Sequence, residues 1–286
     1  MEKATCVVIV LIVLLIAACV VGCLVAGVVG YVGFSADNWT QAQETVATEV
    51  SVDPPAALQV RNPVGTVTVR SGPAEGRVVV EATKEARSMW GRSSERMLEQ
   101  LDVRVEPKGS NVMVDVRVPE ASGTGFGRVN LVITVPTDTD VEVVNETGHV
   151  TILGIEGDIR VQSETGSVRM EDVTVVASCD VMNATGSISF EGRLPDPGSL
   201  DEPLEVLLRT ETGDIDFSVP SDSQFTLDAE SETGNVRSEF ELQDLQSGRH
   251  RGEVGRWLKG GVNREPNGRT VVLRTETGDV SVGPLP

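Results

Sequence analysis

Cysteine is scarce where it could do chemistry. Cys6, Cys19 and Cys23 fall in the apolar N-terminal run, and Cys179 stands alone in the rest of the 286-residue chain. A lone thiol forms no disulfide within its domain, and without a Cys-x-x-Cys pair there is no zinc or redox site to read. Aromatic residues make up 3% of the chain, so the core must come from Val, Ile and Leu on strands. His149 and His250 are the two histidines. A Ser-His-Asp triad would have to use one of them, and the chain has neither a Gly-x-Ser-x-Gly elbow nor a phosphate-cradling glycine loop. Positive charge is short as well: 24 Lys and Arg face 43 Asp and Glu, for a net charge of -19. Such a surface repels a phosphate backbone, which excludes nucleic acid as a partner. No cofactor and no metal set is implied.

From Cys6 to Phe34 no charged residue occurs. As a helix this run would be on the order of 40 Å long, enough to span a bilayer core. It predicts a transmembrane anchor over 6–34 and a short cytoplasmic N-terminus over 1–5. Lys3 lies on one flank; Asp37, Glu44 and Glu49 lie on the other, with no Lys or Arg before Arg61. That asymmetry predicts a single-pass protein of the cell membrane with its bulk outside the cytoplasm. Ala18, Gly22, Ala26 and Gly30 recur every four residues, a small-residue stripe suited to helix–helix contact and hence to a homodimer through the anchor. Ile16-Ala17-Ala18-Cys19 and Val20-Val21-Gly22-Cys23 resemble lipidation boxes, but the polar sequence that should follow a lipidated Cys is missing.

Beyond the anchor, 35–57 reads as a polar linker with Pro54-Pro55, and 58–140 as a β block of alternating strands. Ser93-Ser94 ahead of Met97, Leu98 and Leu101 predicts one short helix there. Over 141–286 one phrase dominates: Glu146-Thr147-Gly148, Glu164-Thr165-Gly166, Ala184-Thr185-Gly186, Glu211-Thr212-Gly213, Glu232-Thr233-Gly234 and Glu276-Thr277-Gly278. Each is followed by a polar residue and then period-two alternation, as in Asp214-Ile215-Asp216-Phe217. A residue free to take positive φ ahead of an alternating segment is a corner feeding a half-buried strand. Its recurrence predicts an all-β, single-stranded β-helix or solenoid with these Thr and Gly residues at the corners. Stacked in register, the glutamates would form a column at about 4.8 Å intervals, with the threonine hydroxyls bonding the corner backbone.

The stretch 243–269 interrupts the rhythm and reads as a loop. It carries Arg249, Arg251, Arg256, Trp257 and Lys259, a basic, aromatic-bearing patch suited to a partner. Gly283-Pro284-Leu285-Pro286 would blunt a final sheet edge. Asp214 and Asp216 share a strand face and are the candidate acid/base pair for a carbohydrate-active enzyme on the same frame. Such an enzyme needs them in a concave site beside an Arg or Lys; otherwise they are an outward polar face.

Val60-Arg61-Asn62-Pro63-Val64-Gly65-Thr66-Val67, the repeated x-x-T-G-[DSN]-[VI] units and the closing Val271-Val272-Leu273-Arg274-Thr275-Glu276-Thr277-Gly278-Asp279-Val280 resemble the bacterial DUF4097 family of adhesin-like β-solenoids. The likeness runs from about Leu58 to Val282. It implies a membrane-tethered, non-enzymatic binding, scaffolding or envelope-stress module with an envelope protein or glycan as partner. It carries no catalytic residues over to this chain.

Overall fold

The computed structural model of the protein describes residues 26–30, 40–53, 55–72, 76–88, 93–119, 125–195, 204–249, 255–263 and 268–285. The elements are β1 (Ala26–Gly30), β2 (Thr40–Ser51), β3 (Ala56–Val64), β4 (Val67–Ser71), β5 (Arg77–Ser88), α1 (Ser93–Gln100), β6 (Asp102–Lys108), β7 (Asn111–Arg117), β8 (Gly125–Val135), β9 (Thr139–Thr147), β10 (Val150–Leu153), β11 (Glu156–Thr165), β12 (Val168–Thr185), β13 (Ile188–Arg193), β14 (Leu204–Thr212), β15 (Ile215–Val219), β16 (Phe225–Thr233), β17 (Val236–Ser238), β18 (Leu242–Arg249), β19 (Arg256–Val262), β20 (Arg269–Thr277) and β21 (Val280–Pro284).

All these strands belong to one 21-stranded sheet. One run of pairings goes β6–β7–β3–β9–β11–β12–β14–β20–β16–β19–β18. The other goes β1–β2–β5–β8–β4–β10–β12–β13–β15–β21–β17. β12 belongs to both and joins them. Alternate residues of the two runs turn inward onto one hydrophobic cluster, from Leu58 and Val60 to Val280 and Val282. The sheet is thus a nearly closed, barrel-like wall around a single core.

This corrects the solenoid expected from the repeats. In a single-stranded solenoid each coil stacks on the one before it in the chain. Here β20 lies between β14 and β16, β3 and β4 enter the middle of the sheet, and β2, β5, β8, β18 and β19 pair antiparallel. The repeated phrase specifies a corner and a register, and those do not fix which neighbour a strand takes.

The anchor is corrected in part. Ala26 and Gly30 lie in β1, which pairs antiparallel with Gln43–Ala47 of β2, so at this end of the run the backbone groups find partners in another strand and not within a helix. The rest of 6–34, with Ala18 and Gly22, lies outside the described residues, as does the N-terminus over 1–5. Among the described residues no helix is long and apolar enough to cross a membrane. The linker reading of 35–57 is also revised, because Thr40–Ser51 is β2 and pairs with β5 along its whole length. Its Thr and Val residues give the period-two, β-branched pattern of a strand even though it is rich in polar residues.

The short helix stands where the serines placed it, with Ser94 buried and its Oγ 3.0 Å from Thr40 Oγ1. The stretch 243–269, expected as a loop, contains the hairpin β18–β19, which adds to β16. Pro284 does not blunt an edge. β21 is an interior strand between β15 and β17, and Leu285 N–H still bonds Val219 O at 2.9 Å.

Candidate functional site

Every corner is built the same way. Gly148 N–H donates to Thr165 O, Gly166 N–H to Thr185 O, Gly186 N–H to Thr212 O and Gly213 N–H to Thr277 O, each at 2.8 Å; Gly278 N–H donates to Thr233 O at 3.1 Å. The threonines therefore serve through their carbonyls, in place of the hydroxyl bonds expected of them, and their side chains stand exposed. The side-chain bonds come from the residue three before the glycine at every one of these corners but that of Gly166, whose Ser163 makes none. Asn145 Nδ2 donates to Gly148 O at 2.8 Å, Asn183 Nδ2 to Gly166 O and Gly186 O at 2.9 and 2.8 Å, and Thr210 Oγ1 to Gly186 O at 3.0 Å. Thr275 Oγ1 and Ser231 Oγ likewise reach Gly213 O and Gly278 O at 2.9 and 2.7 Å. These side chains are buried, and their bonds satisfy carbonyls that the turn would otherwise strand away from water.

The residue after each glycine forms a second polar ladder. Ser167 N–H donates to His149 Nδ1 at 3.1 Å, Asp279 N–H to Asp214 Oδ1 at 2.8 Å, and Asn235 N–H to Asp279 Oδ1 at 2.7 Å. The carboxylate of Asp214 is therefore a rung of the corner. Asp216, next along β15, sits in register between Ser189 and Ser281. Burial, and then the Asp214 charge, raise its carboxyl above the ordinary range. Neither aspartate lines the groove described below.

A concave site does exist on the outer face of the first run of strands. It is a groove of about 690 Å³ crossing β9, β11, β12, β14, β20 and β16. One wall is the glutamate row. The register sets Glu146, Glu164, Ala184, Glu211, Glu276 and Glu232 side by side in that order. All five glutamates are exposed, and none is ion-paired among the described residues. Two residues earlier on each strand comes the second row: Val144, Gln162, Met182, Arg209, Arg274 and Glu230. The groove runs over the buried side chains between the two rows, among them Asn145, Ser163, Asn183, Thr210 and Thr275.

The second row becomes charged toward β16. Arg274 Nη2 lies 2.8 Å from Asp228 Oδ1, and its Nε lies 3.1 Å from Glu230 Oε2, while Lys259 Nζ is 3.3 Å from Asp228 Oδ2. Burial alone would raise the Asp228 carboxyl, but the hydrogen bonds and charges of Arg274 and Lys259 bring it below the ordinary range. A carboxyl lowered on folding stabilises the fold above its unfolded value of about 3.9, and that contribution is lost as pH falls through the lower folded value. Asp228→Asn should therefore cost up to about 1 kcal/mol at neutral pH, since the groups are partly exposed. The gap to the parent should close below about pH 4. Urea unfolding midpoints measured from pH 7 down to pH 3 check this.

Lys259 is thus committed to Asp228, and of the remaining basic patch Arg256 and Trp257 lie in β19, with Trp257 packed on Gly248. Arg249 is exposed at the end of β18, and Arg251 lies outside the described residues, as does His250. The expected partner patch is therefore a hairpin, partly neutralised, that adjoins the β16 end of the groove, where Trp257 stands in register with Glu230. Sequence reasoning reached the glutamate row from the repeat. It missed the second row, which the same two-residue offset would have found, and it missed that the face between the two rows is concave.

No family model matches the chain, and no curated protein matches it. Among solved structures the chain is similar to a "putative cell adhesion protein" from Clostridium sporogenes, with a TM-score of 0.43 and 12% identity over 84% of this chain and 99% of that one. It is similar also to a "putative adhesin" from Bacteroides fragilis, with a TM-score of 0.42 and 12% identity over 84% and 97% of the two chains. A third, from Parabacteroides merdae, has a TM-score of 0.28 and 9% identity over 85% and 96%. The DUF4097 resemblance of the sequence is without a family match.

Proposed function

We propose that the protein is a non-enzymatic binding module and that its ligand lies along the groove across β9 to β16. The observation that supports this reading is the groove itself, an open channel of about 690 Å³ whose walls are two side-chain rows in strand register. A channel that crosses six stacked strands is about 24 Å long at ~4.8 Å per strand, which suits an extended ligand better than a compact one. Its outward carboxylates are spread along the channel and not paired around one reacting atom, which suits binding and not general acid/base work. As part of this proposal the uncharged stretch ahead of β1 holds the module at a membrane, with the groove outside the cytoplasm.

A photo-crosslinking side chain at Met182, in the second row of the groove, should capture a ligand in membranes that carry the full chain. The same group at Leu245, exposed on the far hairpin edge, should not. Capture at Leu245 alone would sink the proposal and move the contact to the β18–β19 hairpin.

A further inference from the structure

The chemistry of the groove's walls says what it can hold, and this inference rests on the reading of the groove as the binding site. Five unpaired carboxylates present acceptors and negative charge along one wall. Beneath them, Asn145, Ser163 and Asn183 are 1%, 6% and 3% exposed. Asn145 Oδ1, Ser163 Oγ and Asn183 Oδ1 have no hydrogen-bond partner. The amide assignments are fixed by their surroundings, because each Nδ2 is spent on glycine carbonyls. What is left over on Asn145 and Asn183 is therefore acceptor, while the Ser163 hydroxyl can donate or accept. Buried acceptors without donors add their dipoles to the field of the carboxylates above them, and the two together favour a ligand that brings N–H groups and positive charge.

The opposite row supplies the other half of the description. Arg209 lies outward in the groove and has no ion-pair or hydrogen-bond partner among the described residues. A fixed guanidinium repels a ligand that is cationic throughout, and its five donors call for an acceptor. Val144 and Met182 give apolar surface on which long aliphatic stems can lie while their charged ends reach the glutamates. An extended peptide meets all of these demands, with basic side chains, aliphatic stems and backbone carbonyls. A polyamine has no carbonyl to offer Arg209.

We infer that the groove takes an extended basic peptide segment, with its Lys or Arg side chains on the glutamate row and a backbone carbonyl on Arg209. The net charge of -19 would steer such a segment toward the chain.

Calorimetric titration of the full chain with an octapeptide of alternating Lys and Ser tests this, with a Glu/Ser octapeptide, spermine and a neutral hexasaccharide in parallel. The expected result is one-to-one binding of the Lys/Ser peptide and none of the Glu/Ser peptide. Raising the salt, or the triple change Glu211→Gln, Glu276→Gln and Glu232→Gln, should weaken that binding at least tenfold. Arg209→Ala should weaken the peptide several-fold and leave spermine unaffected or tighter. Equal binding of spermine and peptide, indifferent to Arg209→Ala, would overturn the peptide assignment. The hexasaccharide binding in place of the cations, and lost in Met182→Trp, would overturn the basic class while leaving the groove as the site. Many weak cations per chain, unchanged by the triple variant, would show an acidic surface only and overturn the inference.

Discussion

Gly166→Ala should cost more than 3 kcal/mol and lower the melting temperature by roughly 10 °C or more, with no change in a hydrophobic contact. Gly166 has φ +137°, and a Cβ there would lie 2.1 Å from the carbonyl oxygen of Gly148. That oxygen is backbone in the neighbouring corner and is held by the pairing of β9 with β11, so it cannot give way alone. Relief would need a rung of the sheet to separate. Gly109→Ala is the control, because Gly109 also has a positive φ, +67°, but nothing lies within 4 Å of its Cβ position. It should lose only about 1 kcal/mol. Thermal melts followed by far-UV circular dichroism compare the two, and equal losses would refute the close approach.

Phe217→Ala is the other large effect expected. Phe217 is fully buried, stacked on Phe190 with ring centroids 4.9 Å apart and edge-on to Phe225 at 5.9 Å, and Phe225 in turn meets Phe240 at 5.9 Å. In a core otherwise built of Val, Ile and Leu, this column is the bulkiest packing, and truncating its middle leaves a void against three strands. A loss of about 3–5 kcal/mol is expected, against about 1 kcal/mol for Phe217→Leu, which refills most of the space. Guanidinium unfolding midpoints with unchanged m-values would establish it.

The phrase Glu-Thr-Gly made the corners and the glutamate row readable before any coordinates, because φ > 0 and period-two alternation are local properties. Pairing order is not local. Glu276 stands between Glu211 and Glu232 because β20 inserts between β14 and β16, and the repeats are too alike for a sequence to rank those neighbours. The same degeneracy suggested a solenoid where the strands close into one wall. Polar strands were missed for a related reason. β2 and β18 carry few apolar residues, so their membership of the sheet rests on backbone bonds to β5 and β19. The groove was legible as a row of charges but not as a concavity, because the buried Asn, Ser and Thr look like ordinary strand polarity until their bonds to the glycine carbonyls are seen.

The insertion of β20 also sets an order of assembly. As the chain emerges from the ribosome, β9, β11, β12 and β14 can each dock on a strand already made. β16 and β17 cannot. Their parallel partners, β20 and β21, lie dozens of residues downstream, so the segment from Phe225 to Ser238 must wait unpaired on its parallel side until those two strands are synthesised. Closing so long a loop late is slow, and it leaves the β14 edge open in the meantime. The pair β20 and β21 is thus the keystone of the wall, and a truncation that removes it would strand the glutamate of β16 and leave the groove broken between β14 and β16.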